Sequence, residues 1–238
     1  MELDEYLPVL TRTNARFAQA AGEAVLASGW AAPVPGCPGW SLADLVWHLA
    51  EVQLFWAWVV RTRAQDPSGY PEPARRPDEE LLGFCSAASA DLETALDGAD
   101  PAEPVWTWAP RRDVAFVLRR QTHEAVVHTA DVEQVLGDLR PVPADVALDG
   151  IDEWLEVMVP GALPQGPPEG AHPVVLHALD SGVERTLFPG SRPFPVARLS
   201  GTTGDLLLAL WRRLPVEVLT VDGDPAQAAA MIALVRLE

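Results

Sequence analysis

From Leu7 to Leu136 apolar side chains recur every three to four residues, and polar, proline-rich stretches interrupt them. That period predicts helices. Leu7, Leu10, Phe17, Ala21 and Val25 mark a first helix over about residues 3–28, ending near Gly29. The stretch AAPVPGCPGW then breaks the pattern with three prolines and two glycines. Ser41 followed by Asp44 is a helix start, a hydroxyl at the N-cap and an acid at the third position, and the second helix runs to about Arg63. Its load of Trp and Val with few charges predicts burial on more than one side. After the polar connection DPSGYPEPARRPDEE, Leu81 to Leu96 forms a third helix closed by Gly98. PAEPVWTWAP is a further loop, and Phe116 to Leu136, free of Gly and Pro, is a long fourth helix. Four helices with two longish connections predict a bundle.

Beyond Gly137 the pattern changes. DLRPVPADVALDG reads as a hinge leading into a short helix, about 144–158, and PGALPQGPPEGAHP is a loop. VVLHALD and VERTLFPG read as two strands around the turn DSG. Residues 194–200 suggest another strand, Thr203–Leu214 a helix, VEVLTVDGD a last strand, and 225–235 a terminal helix. The expected fold class is α+β overall, with a bundle over residues 1–140 and a small α+β domain over 141–238.

Composition narrows the function. The formal charge of −17 argues against nucleic acid and anionic membrane surfaces, which need a basic footprint. No apolar run approaches a membrane span, and the acidic start MELDEY does not read as a signal peptide, so a cytoplasmic location is expected. Cys37 and Cys85 could form one disulfide, but reduced thiols suit that compartment better. All 17 basic residues are Arg. The absence of Lys removes Schiff-base chemistry and any P-loop phosphate lysine. There is no Gly-rich phosphate loop, no Cys-x-x-Cys and no nucleophile-elbow Ser, so any chemistry is metal-centred.

The fourth helix carries the candidate. Glu124 and His128, four residues apart, stack on one face about a turn from each other and can grip one ion. His48 lies in the second helix. Two imidazoles and a carboxylate with a position left open is the ligand set of a catalytic zinc site. Each residue alone has a plainer reading: a core histidine, a solvated carboxylate. Glu and His at this spacing also arise by accident. Asp131, three residues past His128, either orients an imidazole or meets a cofactor or substrate amine. His123 points about 100° away and is second to the site or structural. His172 and His177 read as structural. The tryptophans 47, 56, 58, 106 and 108 read as packing, with some available to line a pocket mouth. Arg119 and Arg120 meet an anionic substrate or, by default, ion pairs or solvent; Arg212 and Arg213 sit where cations favour a helix C-terminus.

Three phrases, GWSLADLVWHLAEV, RRQTHEAVVHTADVE and GTTGDLLLALWRRLP, together resemble the mycothiol-dependent maleylpyruvate isomerase family of the DinB-like superfamily. The resemblance spans nearly the whole chain. It implies an N-terminal DinB-like metal-binding four-helix bundle and a C-terminal α+β domain of sterol-carrier-like appearance. It implies zinc held by the His of D-L-x-x-H-L and by the Glu and second His of H-E-x-x-x-H, which are His48, Glu124 and His128. It implies a functional arginine in the C-terminal domain, placed by its phrase at Arg213, with Arg212 adjoining. The implied cofactors are zinc, or another divalent metal, and mycothiol. The implied reaction is cis–trans isomerisation of maleylpyruvate-like substrates or thiol S-transfer to an electrophile. The implied partners are a small-molecule thiol and an electrophilic or anionic substrate. A non-catalytic metal- or ligand-binding module is the alternative.

Overall fold

Four long helices carry the N-terminal part of the chain in a computed structural model that describes residues 1–236: α1 (Tyr6–Ser28), α2 (Leu42–Thr62), α3 (Leu81–Asp97) and α4 (Val114–Leu136). They belong to a unit spanning Met1–Arg140. Local chemistry sets their ends. The Ser41 hydroxyl accepts from the Asp44 amide at 3.2 Å while the Asp44 carboxylate accepts from the Ser41 amide at 2.9 Å, a reciprocal cap. Asp113 accepts from the Phe116 amide at 2.8 Å, so α4 begins two residues before the apolar period announces it. Gly137 ends α4 in the left-handed conformation, φ +68°, where a Cβ would be strained.

Helix α1 packs along α4 and α2 along α3. One apolar cluster centres on Phe17, Leu42, Leu45, Leu49 and Leu81, and another on Leu10, Trp56, Val59, Leu92 and Val117. The tryptophans serve this packing: Trp47 stacks on Phe84 at 5.5 Å, Trp56 on Trp106 at 6.0 Å, and Trp108 meets the edge of Phe116. Cys37 and Cys85 form no disulfide.

A polar chain crosses the apolar interior. Buried Gln53 donates to Asn14 Oδ1 at 2.8 Å and accepts from the Ser89 hydroxyl at 2.7 Å, and Asn14 donates to Glu93 at 2.7 Å. These bonds tie α1, α2 and α3 in one register, because a slip would bury unpaired polar atoms. Arg16 of α1 adds a bidentate pair to buried Glu133 of α4, at 2.5 and 2.7 Å.

The unit Pro141–Glu238 is a four-stranded mixed sheet with helices. β1 (Val174–Ala178) pairs antiparallel with β2 (Glu184–Leu187) and parallel with β3 (Ala197–Gly201), and β4 (Thr220–Gly223) pairs antiparallel with β3, in the order β2-β1-β3-β4. Helices α5 (Ala144–Glu153), α6 (Val159–Ala162), α7 (Thr203–Leu210) and α8 (Pro225–Ala233) complete it, α7 packing on α5, β1 and β3. Three sequence expectations change. The helix expected over 144–158 turns into a π-helical segment at Trp154–Met158. The helix expected to reach Leu214 stops at Leu210, because Arg212 takes the left-handed conformation at φ +59°. In VEVLTVDGD, Val216–Val218 form a 3-10 turn and only Thr220–Gly223 are strand. Among the described residues no helix is long and apolar enough to cross a membrane.

Replacing Gln53 with Leu keeps the volume and strands the Asn14 carbonyl oxygen in the core. We expect a loss of about 1–3 kcal/mol in urea unfolding, read as a lower midpoint at unchanged slope.

Candidate metal centre

His48, in the first third of α2, and Glu124 and His128 of α4 meet between the two helices. His48 Nε2 lies 3.3 Å from Glu124 Oε1, and His128 Nε2 lies 3.2 Å from the same oxygen. All three donor atoms fall within 4.8 Å of one another. A tetrahedral ion with bonds near 2.0–2.1 Å to N and O separates its ligands by about 3.3–3.4 Å, so these spacings suit one ion of zinc's size. The imidazole rings stand edge to face, with centroids 5.0 Å apart.

The surrounding groups aim the three donors. The second oxygen of Glu124 accepts from Arg120 at 3.1 Å, one turn back on the same helix. Arg120 is buried, so its charge partly neutralises the carboxylate and leaves Oε1 as the free face. The His128 Nδ1–H donates to Asp131 Oδ2 at 2.9 Å, which presents Nε2 unprotonated toward Glu124 and His48 when a metal is bound. Asp131 is wholly buried, and its Oδ2 also accepts from the Cys37 thiol at 3.4 Å. Of the two roles the sequence leaves for Asp131, orienting the imidazole has its geometry in place. Trp40 lies against the His48 ring at 4.8 Å and stacks toward His128 at 6.3 Å, walling one side with hydrocarbon. The opposite case is exposure: the His48 side chain is 31 % and the Glu124 side chain 19 % accessible, which leaves an approach for a further ligand.

Electrostatics follow from this arrangement. Burial works to raise the Glu124 carboxyl, but hydrogen bonds with His128 and His48 and the charges of His128 and Arg120 overcome it and hold it well below the usual range. Burial works to lower His128, yet the bonds to Asp131, Cys37 and Glu124 and the Glu124 charge push it well above the ordinary imidazole. The cluster therefore favours positive charge between the two helices.

The other sequence candidates lie elsewhere. His123 is buried against the Tyr6 ring, edge to face at 6.4 Å, on the opposite side of α4. His177 on β1 faces the Ser200 hydroxyl at 3.4 Å, and the His172 amide meets Met231 sulfur. Arg213 follows α7 in the second unit, where its guanidinium donates to the Trp211 carbonyl at 2.9 Å. Cys37 and Trp40 carried no site reading in sequence; their contacts arise only when the loop between α1 and α2 folds over the cluster. Arg120 was readable, since it stands four residues before Glu124.

The chain matches known proteins over most of its length. The family description "Mycothiol maleylpyruvate isomerase N-terminal domain" matches residues 10–133, and "MDMPI C-terminal domain" matches residues 145–230. A crystal structure of a histidine-to-alanine mutant of the mycothiol-dependent maleylpyruvate isomerase superposes with a TM-score of 0.68 at 16% identity, covering 93% of each chain. A second crystal structure of that isomerase gives 0.65 at 17% identity, covering 87% of this chain and 88% of the other. At that identity the likeness speaks for the fold. No curated protein matches the chain.

A metal ion bound at His128 Nε2 would displace a proton, because the folded imidazole is held above its ordinary value of about 6.5. The sign is fixed: the ion-free cluster's proton-linked stability is complete below that value and fades as pH rises through the raised one. Zinc titration near neutral pH is expected to release about one proton, seen as a dependence of calorimetric heat on buffer ionisation enthalpy, and affinity should fall about tenfold per pH unit on acidification.

Proposed function

Since the chain belongs to the mycothiol-dependent maleylpyruvate isomerase family, we propose that it is a zinc-dependent enzyme using mycothiol, with cis–trans isomerisation of a maleylpyruvate-like substrate as its reaction. The observation that carries the reading is the convergence of His48, Glu124 and His128 on one point with solvent access at His48 and Glu124. These three residues would hold the ion. A bound divalent ion lowers the pKa of a thiol it coordinates, and a thiolate adds reversibly to an electron-poor double bond, which frees that bond to rotate.

Each remaining residue has a task in this reading. Two neutral imidazoles and one carboxylate leave a divalent ion with a net positive charge, and the Arg120 guanidinium beside Glu124 adds to it. That balance favours an incoming anion. Asp131 holds the His128 tautomer, so the nitrogen facing the ion stays a lone pair rather than a proton donor. Trp40 covers the two imidazoles on one side and excludes water there, which strengthens the electrostatics within. Arg213 is assigned to a substrate carboxylate or to the enolate that addition creates. S-transfer to an electrophile would use the same residues and differ only in whether the thiol leaves again.

Zinc-loaded protein with mycothiol is expected to convert maleylpyruvate to its trans isomer without consuming the thiol. His128→Ala should cut that rate by at least about 100-fold and lose zinc, and Arg213→Ala should raise KM for the carboxylate substrate by about 10–100-fold with zinc content intact. Consumption of mycothiol one for one with an electrophile, without isomerisation, would replace this reading with S-transfer. Zinc and thiol binding with no turnover of either kind would make the protein a binding module.

A further inference from the structure

Gln121 carries a polar group that the fold leaves unanswered. The residue is 1% exposed, and its Oε1 is sealed from solvent with no hydrogen-bond partner among the described residues. Its place on α4 is set by helix geometry. Seven residues separate it from His128, which puts the two directions within about 20° of each other, and Glu124 lies within about 60°. The side of α4 turned to α1 belongs to other residues: Thr122 and Thr129 bond the Tyr6 and Thr13 carbonyls, and Glu133 takes Arg16. Gln121 therefore stands on the stripe that carries the metal ligands, about 4.5 Å along the axis from Glu124. A buried acceptor without a partner is destabilising, and Met or Leu would fill the same space without that loss. Local violations of this kind concentrate at functional or strained sites, and Gln121 adjoins the candidate centre.

We infer that Gln121 is a specificity-determining residue that bonds the amide of an acylated cysteinyl thiol whose sulfur is held at the metal centre. The inference rests on the reading above, that the site takes such a thiol. In any acylated cysteine an amide lies only a few bonds from sulfur, so a thiol at the centre brings that amide to the adjoining turn. A carboxamide offers both a carbonyl and an NH2 and matches an amide in either direction. The neighbours on the stripe cannot substitute: Glu124 is occupied by Arg120 and the imidazoles, His128 by Asp131, and Ala125 is apolar. A thiol without the amide leaves the Gln121 acceptor unpaired, which is how a polar site rejects an analogue.

The test uses the zinc-loaded full chain, with calorimetric binding of mycothiol and of 2-mercaptoethanol, a thiol with no amide, and thermal melting without thiol. Gln121→Met is expected to bind mycothiol about tenfold more weakly, to bind 2-mercaptoethanol as the wild type does, and to melt at a higher temperature. Gln121→Leu repeats the test with a different shape, in case one side chain packs poorly. Equal mycothiol affinity in wild type and both variants overturns the inference and leaves the mycothiol reading standing. Lower melting temperatures in both overturn it as well, by showing that Gln121 serves the fold. A wild type that binds zinc and 2-mercaptoethanol but not mycothiol overturns the mycothiol reading and this assignment with it.

Discussion

One carboxylate organises the centre. Glu124 sits between a buried guanidinium on one oxygen and two imidazoles on the other, so its charge is shared among three partners on two helices. Without Arg120 the second oxygen would be a partly buried anion lacking a cation. Without the imidazoles, the face between α2 and α4 would hold an unbalanced charge. Breaking such a cluster by removing one partner is costlier than never having built it, since the rest is left desolvated and unpaired. The same balance is what the proposed metal site would use, a cation taking the place of a proton.

That carboxylate works only if α2 and α4 hold their register to within a fraction of a turn. The chain achieves this indirectly. Gln53 joins α2 to Asn14 of α1 and Ser89 of α3, while Arg16 joins α1 to Glu133 of α4. A shift of α2 along its axis would break the first link, and a shift of α4 would break the second. Apolar packing alone tolerates small slips, whereas buried hydrogen bonds do not. The loop between α1 and α2 then closes over the cluster and brings Cys37 to Asp131 and Trp40 to both imidazoles.

What was legible in sequence follows the range of each signal. The four helices were readable because a 3.6-residue period needs only neighbours, and Ser41 with Asp44 placed a boundary by local chemistry. Glu124, His128, Asp131 and, at one turn's remove, Arg120 share a helix, so their mutual placement could be counted off. His48 stands 76 positions before Glu124 and could not be placed beside it by counting; the ligand set of a zinc site and the plan of a helix bundle grouped it with Glu124 and His128, and the family's phrases agreed. Cys37 and Trp40 were out of reach for the same reason. The π-helical turn at Trp154–Met158 and the left-handed Arg212 depart from residue preference, because tertiary packing sets backbone there. VEVLTVDGD alternates as a strand does, yet Val216 is buried within a 3-10 turn.

The most direct measurement is anomalous diffraction at the zinc edge from crystals of the zinc-loaded protein. One peak is expected within bonding distance of His48 Nε2, Glu124 Oε1 and His128 Nε2, with a further coordination position facing solvent. A peak held instead by Cys37 and Asp131, or no peak at fully loaded stoichiometry, would contradict it.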